Sequence, residues 1–119
     1  MTGLFSYTKR KLSKINNEGE YEQAIKFGNE LEQKFSNDPD FLFIMGSMYY
    51  ILNEEKKTLH YIDRVLEINE YDVEALSLKL RIHEYLKEND AVINCCKKIL
   101  KVDSDNFEVR DILDDLERN

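Results

Sequence analysis

Apolar residues recur along the chain at intervals of three and four, the spacing of one face of an α-helix. One such face comprises Tyr21, Ala24, Ile25, Gly28, Leu31 and Phe35. A second comprises Leu59, Ile62, Val65 and Leu66. Together with the breaks between them, these patterns predict seven helices, roughly over residues 4 to 16, 20 to 35, 39 to 52, 54 to 68, 73 to 86, 90 to 102 and 106 to 117.

Residues that cap helices stand at most of the predicted breaks. Asp38 precedes Pro39, which is favoured at a first helical position because its missing N–H has no role there. Asp72 is placed to cap the fifth helix. Further caps are predicted at Asn53, at Asn89, and at Asp105, which with Glu108 would form a capping box.

The stretch FLFIMGSMYYIL, residues 41 to 52, is apolar on nearly every side. As a helix it would span about 18 Å, against roughly 30 Å for the hydrocarbon core of a bilayer. Acidic residues flank it, with Asp38 and Asp40 before it and Glu54 and Glu55 after it. It is therefore expected to be a core helix with neighbours on both sides and not a membrane segment.

A repeat of 34 residues runs through the chain. Three columns of similar size and one turn column share this step: Ala24, Thr58 and Val92; Ile25, Leu59 and Ile93; Leu31, Val65 and Ile99; and, at the turn, Gly19, Asn53 and Lys87. Each period holds two helical patterns, so the repeating unit is a helix hairpin. An all-α chain of stacked hairpins is predicted.

The composition is typical of a helical chain and disfavours one class of partner. The 119 residues (14.2 kDa) include one Pro and four Gly, and they predict a single domain over residues 1 to 119. The net charge of -7 disfavours duplex nucleic acid as the main ligand. The two cysteines are adjacent and the N-terminus lacks the pattern of a secretory signal, which together predict a reducing, cytoplasmic location.

Candidate chemistry is sparse. Cys95 and Cys96 with His83 or His60 lack the spacing of a metal site, and structural thiols are expected, with Cys96 in the core and Cys95 nearer its edge. No nucleophile and base grouping and no Gly-rich phosphate loop is found. The prediction is a protein that is not an enzyme and has no cofactor and no metal, although a residual role of His83 and Cys96 stays an alternative.

The repeat resembles the tetratricopeptide repeat family, whose unit also has 34 residues. Leu42, Met45, Gly46 and Tyr49 fall on its large, Leu, Gly and Tyr columns, and GEYEQAI at residues 19 to 25 of the first unit is similar to the start of its second helix. The resemblance implies a right-handed α-α superhelix (solenoid) of antiparallel helix hairpins, with units of about 5–36, 39–70 and 73–104 and a capping helix over 106–117.

The resemblance also implies a function. Domains of this family bind a peptide or helix of a partner protein along a concave groove built by the first helix of each unit. The matching columns place these residues toward a partner: Lys9, Phe43, Ser47, Tyr50, Arg81 and Tyr85. Filling of space between repeats is the other interpretation of Phe43 and Ile44.

One subclass of the family binds the terminal carboxylate of chaperone tails through Lys, Asn and Arg donors. Those columns here hold Lys9, Ser13, Ile44, Glu74 and Leu78, so a carboxylate clamp is not expected. The predicted partner is a protein or peptide, with no nucleic acid and no membrane. The basic cluster formed by Lys9, Arg10, Lys11 and Lys14 is interpreted as a solvated helix face. The alternative function is a structural element that stacks through its terminal repeats as a weak homo-oligomer.

Overall fold

A computed structural model describes residues 10, 11, 14 and 19–118, and within the continuous range 19–118 the chain forms six helices. They are α1 (Tyr21–Phe35), α2 (Pro39–Ile51), α3 (Glu55–Ile68), α4 (Val73–Tyr85), α5 (Asn89–Val102) and α6 (Phe107–Arg118). Each agrees to within one residue at either end with a predicted helix. The all-α prediction is confirmed.

The count of seven helices is one more than the described residues contain. The predicted helix over 4 to 16 lies outside them, apart from Arg10, Lys11 and Lys14, which are helical. The chain divides into two compact units, the first ending at Ile68 and the second beginning at Asn69. The predicted single domain over 1 to 119 and the three repeat boundaries stay predictions.

In the first unit, α2 is the central helix and packs against both α1 and α3. This position explains its apolar sequence, because six of its thirteen residues are buried: Phe41, Leu42, Met45, Gly46, Met48 and Tyr49. The rings of Phe35 on α1 and Phe41 on α2 lie 5.8 Å apart, and Tyr49 stacks on Tyr61 of α3 at 5.7 Å. No helix in the described ranges has the length and apolar character of a bilayer crossing.

Gly46 lets α2 and α3 approach each other closely. A Cβ atom built at Gly46 would lie 2.9 Å from Cδ1 and 3.2 Å from Cγ1 of Ile62, which is fully buried. Contacts this short are repulsive, and the buried Ile62 side chain has little room to move away. Gly46, which falls on the Gly column of the repeat, therefore permits the close approach of α2 and α3.

Polar contacts also connect the hairpin of α2 and α3 to the end of α1. The Tyr61 hydroxyl donates a hydrogen bond to the Glu32 carboxylate, and Arg64 Nη2 donates to the Ser36 carbonyl at 2.7 Å. Burial, followed by the bond to Glu32, raises the pKa of Tyr61 well above its usual range. Tyr61 is thus a neutral hydrogen-bond donor at physiological pH.

The turn column of the repeat has a backbone signature. Gly19, Asn53 and Lys87 have φ angles of 82°, 60° and 58°, so the left-handed conformation recurs at the 34-residue step. After α2, the Asn53 and Glu54 amides donate to the Tyr50 and Tyr49 carbonyls, each at 3.0 Å. This pairing is the Schellman motif.

The second unit repeats that ending. After α4, the Lys87 and Glu88 amides donate to the Glu84 and His83 carbonyls, at 3.1 and 2.9 Å. Helix α5 packs against α4 on one side and α6 on the other. The core of this unit comprises Ala75, Leu76, Leu78, Leu80, Ile82, Val92, Cys95, Cys96, Ile99, Val109 and Leu113.

Two predicted caps are confirmed and three are wrong. Asp38 accepts hydrogen bonds from the Asp40 and Phe41 amides, and Asp72 accepts one from the Ala75 amide. The three wrong caps are Asn53, Asn89 and Asp105.

Each of the three has a positional reason. Asn53 cannot cap α3 because its left-handed backbone ends α2, and Asn89 is already the first residue of α5. At α6 the side chain that accepts from the Val109 amide belongs to Asn106 instead of Asp105. The Asn106 oxygen is 3.1 Å from that amide, one residue later in the chain than predicted.

Candidate functional site

The predicted partner-binding residues of the first unit lie on the face of α2 that α1 and α3 leave uncovered. Leu42, Met45 and Tyr49 turn into the core, whereas Phe43 and Ser47 are half-buried and Tyr50 is 37% exposed. These three follow each other at helical spacing along one stripe. Ile51 extends the apolar surface at the end of the helix and is also exposed.

Ser47 has a local partner within this stripe. Its hydroxyl donates a hydrogen bond to the Phe43 carbonyl, with an oxygen to oxygen distance of 2.8 Å. The bond satisfies the donor, so a ligand can lie against Ser47 without leaving it unpaired. Phe43 lies about one helical turn before Ser47 and Tyr50 about one turn after it, so the small Ser47 side chain stands between the two rings. The face therefore has two aromatic rings with a small residue between them.

The predicted residues of the second unit lie on α4. Arg81 is exposed, and Tyr85, in the last turn, is 75% exposed. Ser77 is half-buried on the same helix, whereas Leu78 is buried and belongs to the core. An exposed tyrosine and arginine on one helix are side chains that frequently dominate binding energy at interfaces.

The remaining predicted residue, Lys9, lies outside the described residues, as does Ser13. Of the five carboxylate-clamp columns, the structure describes Ile44, which is half-buried, Glu74, which is exposed, and Leu78. None of these three side chains can donate a hydrogen bond to a carboxylate.

The residues considered for metal binding or catalysis lie in surroundings typical of residues with a structural role. In the described ranges, no three of His, Cys, Asp and Glu are grouped so as to hold a metal ion. His83 Nδ1 lies 3.0 Å from Glu88 Oε1, and both cysteines are buried and form no disulfide. Burial, with smaller effects from Cys95 and Glu84, raises the pKa of the Cys96 thiol to about 11, which disfavours the reactive thiolate.

A groove of about 470 Å³ in the second unit was not predicted from the sequence. It runs between the residues before α4 and the outer face of α5, and is lined by Glu70, Tyr71, Asp90, Ile93, Asn94, Lys97, Lys98 and Lys101. A signal was available, because positions 94, 97, 98 and 101 follow the spacing of one helical stripe.

No protein-family model matches the sequence, and no curated protein matches it either. Solved structures do match. The first tetratricopeptide repeat domain of Spaghetti (RPAP3), bound to the HSP90 peptide SRMEEVD, superposes with a TM-score of 0.81 and 18% identity, covering 94% of this chain and 89% of that one.

Two further structures are similar over nearly the whole chain. The type III secretion chaperone SycD of Yersinia enterocolitica, in complex with a peptide of the translocator YopD, has a TM-score of 0.85 at 10% identity and covers 98% of this chain and 95% of that one. The tetratricopeptide repeat domain of Sgt2 from Aspergillus fumigatus has a TM-score of 0.76 at 12% identity, with coverage of 95% and 76%. The chain thus has the fold of tetratricopeptide repeat domains.

Proposed function

We propose that the chain is a protein-protein interaction module that binds a peptide or helical segment of a partner on the exposed faces of α2 and α4. The observation that carries this proposal is the surface of α2. That helix is buried around most of its circumference, yet it leaves Phe43, Tyr50 and Ile51 accessible along one stripe. Accessible aromatic and aliphatic groups in such a row are typical of interaction sites.

The chemistry of the two faces indicates the kind of segment they fit. On α2 the face is apolar and aromatic, with Ser47 as its polar element. On α4, Arg81 and Tyr85 add a cation and a second kind of aromatic contact. A segment with apolar anchors would suit the α2 face, and one with apolar anchors and some negative charge would suit the α4 face. Peptide complexes of SycD and of the RPAP3 domain support this mode of binding, since both have the same fold.

A peptide library displayed on phage and selected against the wild-type chain would supply ligands for a direct test. We expect the double variant Phe43→Ala/Tyr50→Ala to weaken binding of the selected peptides by at least about tenfold, because buried aromatic anchors commonly dominate such interfaces. Arg81→Ala/Tyr85→Ala is expected to have a similar effect. Fluorescence anisotropy of labelled peptides measures both.

Phe107→Ala is the matched control for these variants. Phe107 is 80% exposed, close to the 75% of Tyr85, but it lies on α6. It should leave peptide affinity unchanged. Equal losses in the control, or full affinity in the α2 variant with an unchanged melting temperature, would contradict the assignment of the site.

We also propose that the site is not a carboxylate clamp. The peptide SRMEEVD should bind with the same affinity, however weak, whether its C-terminus is a free carboxylate or an amide. The reason is that Ile44, Glu74 and Leu78 stand where a clamp needs donors. Isothermal titration of the two peptides measures the difference. A loss of about tenfold or more on amidation would show that the terminal carboxylate is bound after all.

Self-association through the terminal repeats is the second candidate function. It is favoured by Phe107 and by Val102, which is 56% exposed, because both leave apolar surface uncovered at the end of the second unit. Light scattering of the wild type and of Phe107→Ala separates the two candidates. Only self-association gives a mass that rises with concentration and falls in the variant.

A further inference from the structure

The groove along α5 has a basic wall. Asn94, Lys97, Lys98 and Lys101 form one stripe on the helix, and their side chains line the groove together with Ile93. Three lysines within five residues are a local concentration of positive charge in a chain whose net charge is -7. The stripe lies on the second helix of its hairpin, whereas the faces proposed above lie on the first helices.

The opposite wall is formed by Glu70 and Tyr71, and each of them already contacts a lysine. Glu70 Oε1 is 3.3 Å from Lys98 Nζ. Lys101 Nζ lies 5.8 Å from the centroid of the Tyr71 ring, within the range of a cation-π contact. Tyr71 keeps 37% of its surface exposed, so its ring is accessible from the groove.

We propose that this groove binds an acidic peptide segment of a partner protein in an extended conformation. Lys98 and Lys101 are one helical turn apart, with about 5–6 Å between their Cβ atoms. Carboxylates on alternate residues of an extended chain are separated by roughly 6.6 Å, so each can reach one ammonium group. The side chain between two such carboxylates points the other way, toward the wall that holds the Tyr71 ring. Ile93 adds apolar surface to the α5 wall, and the Asn94 amide can bond the peptide backbone.

Glu70 occupies the position that a ligand carboxylate would take. In the structure its carboxylate neutralises Lys98 from the wall of the groove. Both side chains are at least one-third exposed, so this ion pair is weak and easily exchanged. An incoming carboxylate replaces Glu70 at Lys98, and Glu70 therefore competes with the ligand. Removal of its charge should strengthen binding.

The charges of the groove favour a peptide over a nucleic acid or a membrane. Glu70 and Asp90 lie in the same groove as the lysines and would repel a continuous row of phosphates. Recognition of anionic lipid usually needs a cluster of four to eight basic residues, and three lysines interrupted by acidic groups do not make one. A short acidic peptide can place its carboxylates on the lysines and leave Glu70 and Asp90 in solvent.

The test uses the full chain and a fluorescein-labelled hexaglutamate peptide at low ionic strength, with fluorescence anisotropy as the readout. We expect saturable binding that weakens as salt is added, since exposed charges are screened. Lys98→Gln and Lys101→Gln should each weaken binding roughly two- to fivefold, and Glu70→Gln should tighten it by a similar factor. Lys56→Gln makes the same charge change on α3 and should alter nothing.

Several results would overturn the proposal. These are no binding of hexaglutamate to the wild type, an equal loss with Lys56→Gln, or a Glu70→Gln variant that fails to tighten the complex. Binding of phosphatidylserine vesicles or of single-stranded DNA more tightly than hexaglutamate, with dependence on the same lysines, would assign the groove to another class of ligand. Melting temperatures of all variants, followed by circular dichroism, confirm that each is folded.

Discussion

Removal of α6 should abolish cooperative unfolding of the second unit. A chain truncated at Asp103 loses the inward face of this helix, where Val109 and Leu113 are each only 5% exposed. It also uncovers the side of α5 against which α6 packs, including surface of Val92, Cys96 and Ile99. Burial of each such aliphatic side chain contributes about 1.5–3 kcal/mol, and a small domain is stable by only 5–15 kcal/mol in all. Thermal unfolding followed by circular dichroism should become broad, and light scattering should detect aggregates.

Two point variants distinguish the effect of lost α6 packing from the effect of shortening the chain. Leu113→Ala removes an inward side chain of α6 and should lower the free energy of unfolding by about 2–4 kcal/mol. Asp114→Ala changes the next residue, which is exposed, and should have almost no effect. A truncated chain that stays monomeric with an unchanged melting profile would refute the role of α6 as a cap.

Gly46→Leu should destabilise the first unit by about 3 kcal/mol. A single Cβ atom at this position already lies within 2.9 Å of Ile62, so a leucine side chain has to push α2 and α3 apart. Overpacking of this kind commonly lowers stability by about 1–3 kcal/mol, and a leucine at Gly46 adds three further carbon atoms beyond the Cβ that already clashes. Urea unfolding, followed by circular dichroism, measures the loss.

Ser47→Leu is the control, because it places the same side chain on the next residue, which is only half-buried. It should be much less destabilising. A compensating pair tests the mechanism further, since Ile62→Val removes the Cδ1 atom that clashes. Gly46→Ala should be neutral or stabilising in that background, because alanine favours helix by about 1 kcal/mol over glycine. The close approach would be disproved if Gly46→Leu and Ser47→Leu were equally stable.

Most helix positions could be predicted from the sequence because the helix buries an apolar stripe, whereas α2, which is apolar on nearly every side, was located by Asp38 and Pro39 at its start. The repeat also identified its turn residues, since a helix that ends in a Schellman motif needs a left-handed residue. Gly19 and Asn53 adopt that conformation readily, which makes them visible in the sequence. Lys87 has no such preference and could be placed only by its register with the other two.

Helix caps were predicted incorrectly where the same residue type is favoured at more than one position around a helix end. Asparagine can begin a helix or end one, and the structure assigns Asn53 to the end of α2. Asp105 and Asn106 are both good caps, so only the register of α6 decides between them. Repeat columns also did not reveal that Leu78 is buried, since exposure depends on the packing of the other helices around α4.

The candidate site was partly accessible to prediction. The columns of the resembling family placed Phe43, Ser47 and Tyr50 toward a partner, and in the structure these three residues share one face of α2. The groove along α5 was not predicted, because its second wall comes from Glu70 and Tyr71, which precede α5 by some twenty residues. Contacts between separate segments are a property of the fold and not of any local pattern.

We propose that a partner peptide binds on α2 and α4, the first helices of their hairpins. Two-dimensional ¹H-¹⁵N NMR of the labelled chain, titrated with a library-selected peptide, tests it most directly. We expect the largest chemical-shift changes at the amides of Phe43, Ser47 and Tyr50 in α2, and of Arg81 and Tyr85 in α4. Changes confined to α5 or α6, with these amides unmoved at saturation, would contradict it.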